Sequence, residues 1–186
     1  MPEVFLDEHL LDVVENTKLL GVMISSDLKW KANTRYIQAK FMKKLWIIRR
    51  IKLLGGSIQD LLLVYKVQLR CLTEMCCTAW NGALTQVEIR ILERLQKIAL
   101  KLILDSQYTS YEDALNFLGL DTLENRRKKL SLKFARKTQA NKKYQAWFTK
   151  ASPSTRSHKE FTEPFARTAT YFKSPLFYLI DLLNNN

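Results

Sequence analysis

From Lys31 to Leu54 the apolar residues Ile37, Phe41, Leu45, Ile48 and Ile51 recur at three- and four-residue steps. A strand sends successive side chains to opposite faces, whereas a helix gathers residues three and four apart on one side. Only a helix keeps this stripe together. Gly55-Gly56 stops it, and Ser57 can cap a second helix with Asp60 three residues on. The stretch from Ser57 to Thr78 is apolar nearly all round (Ile58, Leu61 to Tyr65, Val67, Leu69, Leu72), the pattern of a helix at the centre of a bundle. Asn81-Gly82 turns the chain, and Thr85-Gln86-Val87-Glu88 forms a capping box for a third helix reaching about Leu104. Its expected inward stripe is Ile91, Leu95, Ile98 and Leu102. Ser110 to Asp113 opens a short helix ending at Gly119, and Asp121 to Glu124 opens a long basic one running to about Phe148. Each start signal agrees with the apolar period behind it. Five glycines and four prolines in the whole chain also imply long elements and few tight turns.

Strand character is confined to the start. Lys18 to Ile24 reads as a strand, Ser25-Ser26-Asp27 as turn chemistry, and Leu28 to Trp30 as the return. From Ala151 onward Ser, Thr, Pro and Arg rise and periodicity disappears until a final apolar run, Pro175 to Leu183. The expected fold is mainly α, a multi-helix bundle preceded by a short N-terminal β-hairpin and followed by a flexible C-terminal tail. The expected divisions are 1–30 for the hairpin, 31–150 for the helices and 151–186 for a basic tail with its short apolar segment.

The charge is placed in blocks. Between Leu28 and Gln59 there are nine Lys or Arg residues and no acid, and from Arg126 to Lys150 there are ten more, again with none. Both blocks are interleaved with aromatics: Tyr36, Phe41 and Trp46 in the first, Phe134, Tyr144, Trp147 and Phe148 in the second. A helix that is merely solvated usually mixes both signs and gains from pairing four residues apart. Cations that neutralise phosphates, beside rings that can stack on bases, fit a nucleic-acid partner. The candidate contacts are Lys40, Lys43, Lys44, Trp46, Arg49 and Arg50 in the first block, and Arg126, Arg127, Lys128 and Lys129 in the second. A net charge of +12 agrees, with an acidic membrane surface as the competing polyanion.

Catalytic and metal-binding patterns do not emerge. The aspartates are scattered, no Asp-Asp pair exists, and most sit at expected helix caps, so no carboxylate cluster for a two-metal site is in view. Cys71, Cys76 and Cys77 fall on one expected helix, where neighbours about 100° apart converge poorly on one ion. Buried structural thiols are the simpler reading, and an odd, clustered set points to a reducing compartment, nuclear or cytoplasmic rather than secreted. No secretory leader or membrane-spanning run is apparent.

The order of motifs resembles the C-terminal portion of reverse transcriptases from eukaryotic non-LTR retrotransposons, the jockey and chicken-repeat-like LINE families. The likeness starts at Lys18-x-Leu20-Gly21-Val22-x-Ile24 with Leu28-x-Trp30, and continues through the basic helix ending Arg49-Arg50. It goes on with Leu62-x-x-Tyr65-Lys66-x-x-x-Arg70-x-x-x-Glu74, Trp80, and Leu92-Glu93-x-x-Gln96-x-x-Ala99-x-x-Leu102-Ile103. It then passes Ser110-Tyr111-Glu112, Leu118-x-Leu120 and Leu123-x-x-Arg126-Arg127, and closes with Ser174-Pro175-Leu176-x-Tyr178-Leu179-x-x-Leu182-Leu183. Ser25 and Met75 depart from an acidic and an aromatic residue common in the family, and a terminal Cys/His knuckle found in some members is missing.

The resemblance implies that 18–30 is the last hairpin after the palm and that the helices are thumb and post-thumb regions gripping template and primer. It places the palm, with its F/Y-x-D-D motif and its Mg2+ ions, upstream of these residues. The chain is thus expected to be non-catalytic on its own, without cofactor or metal. Its expected partners are RNA or RNA–DNA duplex, together with the palm and fingers of the same polymerase, and no membrane. The alternative is a stand-alone basic helical module derived from a transposon, binding nucleic acid or protein.

Overall fold

The computed structural model describes residues 5–7, 9–10, 12–152 and 159–185. Two short antiparallel hairpins open the chain: β1 (Phe5–Leu6) with β2 (His9–Leu10), then β3 (Asn16–Leu19) with β4 (Val22–Ser25). The second hairpin turns earlier than the alternation suggested. Its loop is Leu20-Gly21, at φ of 46° and 88°, and two left-handed residues match the twist of the flanking strands. Ser25-Ser26-Asp27 therefore closes the hairpin, and Leu28 to Trp30 leads into a helix. The Asp27 carboxylate fixes that bend, accepting from the Ser25 hydroxyl at 2.6 Å and the Lys29 N–H at 3.0 Å. Those bonds, the Ser25 one first, hold its pKa down at about 2.

α1 (Lys31–Leu53) buries Ile37, Phe41, Leu45 and Ile48, the stripe expected of it. α2 (Ile58–Val64) starts on the capping box of Ser57 and Asp60. The expected single helix from 57 to 78 is broken. α2 passes into a π-helical stretch, Tyr65–Arg70, then α3 (Cys71–Glu74), α4 (Cys77–Trp80) and a 3-10 turn, Asn81–Ala83. The break lies at Met75 and Cys76, the latter left-handed at φ 51°. Met75's carbonyl, released from the helix, accepts from the indole Nε1 of Trp80 at 3.0 Å; a buried tryptophan needs such a partner. Leu63 and Val67 face solvent, so this region is a half-buried wall and not an all-round core helix.

α5 (Gln86–Leu104) starts on the capping box of Thr85 and Glu88. It is the central helix, packed against α1, α2, α6 (Tyr111–Leu118) and α7 (Leu123–Gln139). Neighbours on several sides move its buried face to Leu92, Leu95, Gln96, Ala99 and Ile103, leaving Ile91, Ile98 and Leu102 half-buried. α7 also ends earlier than expected. Asn141 accepts the Lys143 N–H on its side chain at 3.0 Å, an Asx turn that opens the 3-10 stretch Lys142–Trp147.

The closing apolar run is a helix. After α8 (Ala169–Phe172), α9 (Pro175–Asn184) packs on α7 and buries Phe177, Leu179, Ile180 and Leu182. Leu179 and Ile180 meet Ala135, Phe148 and Phe161 in a second, smaller core. Asn184 imitates a strand there, accepting from the Phe161 N–H at 2.9 Å and donating to its carbonyl at 3.0 Å. α9 also crosses the Asn81–Ala83 turn so closely that a Cβ on Gly82 would lie 2.4 Å from the Tyr178 ring.

A buried polar network ties the bundle together. Tyr65 donates its hydroxyl to Gln96 Oε1; Gln96 Nε2 donates to the Tyr111 hydroxyl at 3.0 Å and the Asp121 carbonyl at 2.9 Å. Tyr111 donates to Glu93 at 2.5 Å, and the other Glu93 oxygen accepts the Glu124 N–H at 2.7 Å. Burial raises the pKa of both tyrosines, the Glu93 hydrogen bond adding to it for Tyr111. Both therefore hold their protons more tightly folded than unfolded. Their contribution to stability is complete below pH about 10, the ordinary tyrosine value, and is lost as pH rises beyond it. In an alkaline titration, the tyrosinate absorbance of these two residues should appear together with loss of helical circular dichroism. Their ionisation with the helices intact would contradict this account.

Candidate nucleic-acid interface

α1 turns a basic face outward. Opposite the Phe41–Ile48 stripe stand Arg35, Lys43, Trp46, Arg49 and Arg50, spaced so that the helix repeat lines them up. Lys43, Arg49 and Arg50 are exposed and have no ion-pair or hydrogen-bond partner among the described residues. Trp46 is 62% exposed, so its indole face is open to a planar partner. Lys40 and Lys44 lie to the side and are engaged. Lys40 Nζ sits 4.7 Å from the Tyr36 ring centroid, and Lys44 Nζ donates to Gln68 Oε1 at 3.1 Å. The neighbouring ammonium groups, Lys40 first and then Lys18, lower the pKa of Tyr36.

The second basic cluster is largely spent on the protein itself, which corrects the expectation for α7. Arg127 is 0% exposed. Its Nε donates to Asn81 Oδ1 at 2.8 Å and its guanidinium lies 5.7 Å from the centroid of the Trp80 ring. Burial lowers its pKa, and no phosphate can reach it. Arg126 Nε bonds Glu74 at 2.8 Å, which raises its pKa, and Arg70 meets the same carboxylate oxygen at 3.2 Å. Lys129 Nζ donates to both Asp121 oxygens at 2.8 Å. Lys128 is left exposed without such a partner among the described residues. The neutralising acids come from outside the basic block, Glu74 from α3 and Asp121 from the turn before α7. The outward face of α7 runs instead through Lys133, Arg136 and Lys137, all exposed and likewise unpaired. Their spacing opposite Arg127, Ser131, Ala135 and Thr138 was the available sign.

The remaining chemistry-bearing groups have structural tasks. Asp60, Glu88 and Asp113 accept first-turn or cap bonds at α2, α5 and α6. Among the described residues no three His, Cys, Asp or Glu side chains group as a metal site. Of the three thiols read as buried, Cys77 is, but Cys71 and Cys76 are exposed; the break at Met75 and Cys76 sets Cys71 and Cys77 on separate helices. Many motif residues quoted above (Tyr65, Arg70, Glu74, Trp80, Glu93, Gln96, Tyr111, Arg126, Arg127) are joined in the polar contacts of the bundle interior and serve its assembly. No helix among the described residues is long and apolar enough to cross a membrane. Compared with family models, curated proteins and solved structures, the chain matches none.

Proposed function

We propose that this chain binds RNA or an RNA–DNA duplex through sequence-independent phosphate contacts, as the non-catalytic thumb-side portion of a non-LTR retrotransposon reverse transcriptase. The observation that carries the binding is the outward face of α1: Lys43, Arg49 and Arg50, unpaired among the described residues, beside an exposed Trp46 on a helix with no acid of its own. A solvated helix face at low ionic strength would gain from neighbouring carboxylates; Asp105 meets Lys52, but among the described residues none meets Lys43, Arg49 or Arg50. The polymerase assignment rests on the ordered motifs in the sequence. The open β3 edge and the exposed Val13, Val14, Leu19 and Leu20 are where further domains of such an enzyme would pack.

The triple replacement Lys43→Gln, Arg49→Gln, Arg50→Gln tests the reading. Each lost phosphate contact flattens the log–log salt dependence by about 0.9, so three should remove about 2.7 from the slope. Unrelated duplex sequences should weaken by similar factors, and Lys133→Gln with Arg136→Gln and Lys137→Gln should act in the same direction. An unchanged slope and affinity in both variants would leave the basic faces as solvated surface only.

A further inference from the structure

α1, α5 and α9 all begin around one cavity of about 730 Å3, a volume within the range of small-molecule sites. Lys31, Arg35 and Lys173 line it, and none of their side chains has an ion-pair or hydrogen-bond partner among the described residues. Two acids also line it, but both are committed. Asp27 pairs with Lys29 at 3.2 Å, and the Glu88 carboxylate accepts the Thr85 N–H and hydroxyl, each at 2.7 Å. The balance of free charge in the cavity is positive.

Donors add to it. The Thr85 side chain caps α5, whereas neither Trp30 nor Ser174 offers a side-chain cap to α1 or α9. First-turn N–H groups of α1, and those of α9 beyond Pro175, which has none, therefore keep their bonding capacity at the positive ends of two helix dipoles. Apolar residues line the cavity too, among them Trp30, Val87 and Ile91. Free cations and N–H donors suit a phosphate, and a ring-bearing apolar wall suits a planar base.

We propose that the cavity takes a nucleoside-phosphate unit, namely an unpaired nucleotide of the strand held along α1. This rests on the nucleic-acid reading above. Arg35 belongs both to the cavity and to the outward face that carries Arg50, about 22 Å further along the helix, so a backbone followed up that face leads into the cavity.

The experiment uses the full chain and three probes: adenosine 5′-monophosphate, unphosphorylated adenosine, and a short single-stranded oligonucleotide. Amide shifts are followed by NMR, alongside duplex binding. The monophosphate should shift amides within 31–35, 85–88 and 173–177, adenosine should bind about tenfold more weakly or worse, and the oligonucleotide should displace the monophosphate. Lys31→Gln with Arg35→Gln and Lys173→Gln should abolish these effects while leaving helical circular dichroism intact. Absence of monophosphate-dependent shifts around the cavity, or shifts unchanged in the triple variant, would overturn the proposal even if duplex binding persists. Monophosphate binding without displacement by the oligonucleotide would keep the chemistry and make the ligand a free nucleotide. If the monophosphate binds here but no duplex or single strand does, the α1 interface fails and the cavity stands.

Discussion

Trp80→Ala is expected to lower stability by about 3–5 kcal/mol, the usual cost of emptying a buried aromatic site. Trp80 is 0% exposed, and three separate contacts depend on it. Its indole Nε1 holds the Met75 carbonyl at the break between α3 and α4. Its ring lies under the Arg127 guanidinium, and its bulk fills the main core. Removing it leaves a cavity, an unpartnered carbonyl and a buried cation with less to face. Small domains are stable by only about 5–15 kcal/mol, so the variant should be close to unfolding at ambient temperature. Urea unfolding followed by circular dichroism measures the loss. A cost below about 1 kcal/mol would mean that the 75–80 segment rearranges without penalty and that its geometry is not needed by the rest. Trp80→Phe separates the terms, since it keeps most of the volume but not the Nε1 donor.

Gln96→Leu is expected to do similar damage by a different route. Leucine fits the space, so the effect comes from orphaned partners. The Tyr65 hydroxyl and the Asp121 carbonyl each lose their bond to Gln96, while Tyr111 keeps Glu93. Each buried polar group left without a partner costs about 1–3 kcal/mol, which gives about 2–6 for the two. Adding Tyr65→Phe should restore a large part of the loss, because removing both members of a buried pair is far less harmful than removing one. If the double variant is as unstable as the single one, the damage comes from packing and not from the network.

How legible all this was in the sequence depended on distance along the chain. The α1 stripe and the Ser57–Asp60 and Thr85–Glu88 boxes are made by residues three or four apart, and they were read directly. The break after Glu74 was not, because nothing within 57–78 demands it: the stabilising donor is the Trp80 side chain, folded back on Met75. The exposed charges of Lys43, Arg49 and Arg50 were legible because, among the described residues, they answer to no other segment, whereas Lys44 and Lys52 of the same helix meet Gln68 and Asp105. The α7 cluster misled for the opposite reason. Arg126 and Arg127 are met by Glu74 and Asn81, some fifty residues earlier, and local spacing carries no record of them. Gln96 stood out only as part of the quoted motif and not as a core position, since a hydrophobic stripe is sought in apolar residues and this one is polar.

The docking of α9 on α7 has a consequence for when the protein can be complete. α7 and the Asn81–Ala83 turn are made well before residues 175–184, yet Tyr178 is what closes over Gly82, and Leu179 and Ile180 are what fill the space beside Ala135 and Phe148. Synthesis runs at roughly 5–20 residues per second, so the main core around α1 and α5 can consolidate while the inner side of α7 still waits for its cover. During that interval the chain is a finished half joined to an unfinished one, and it is the second half that a chaperone or a protease would meet first.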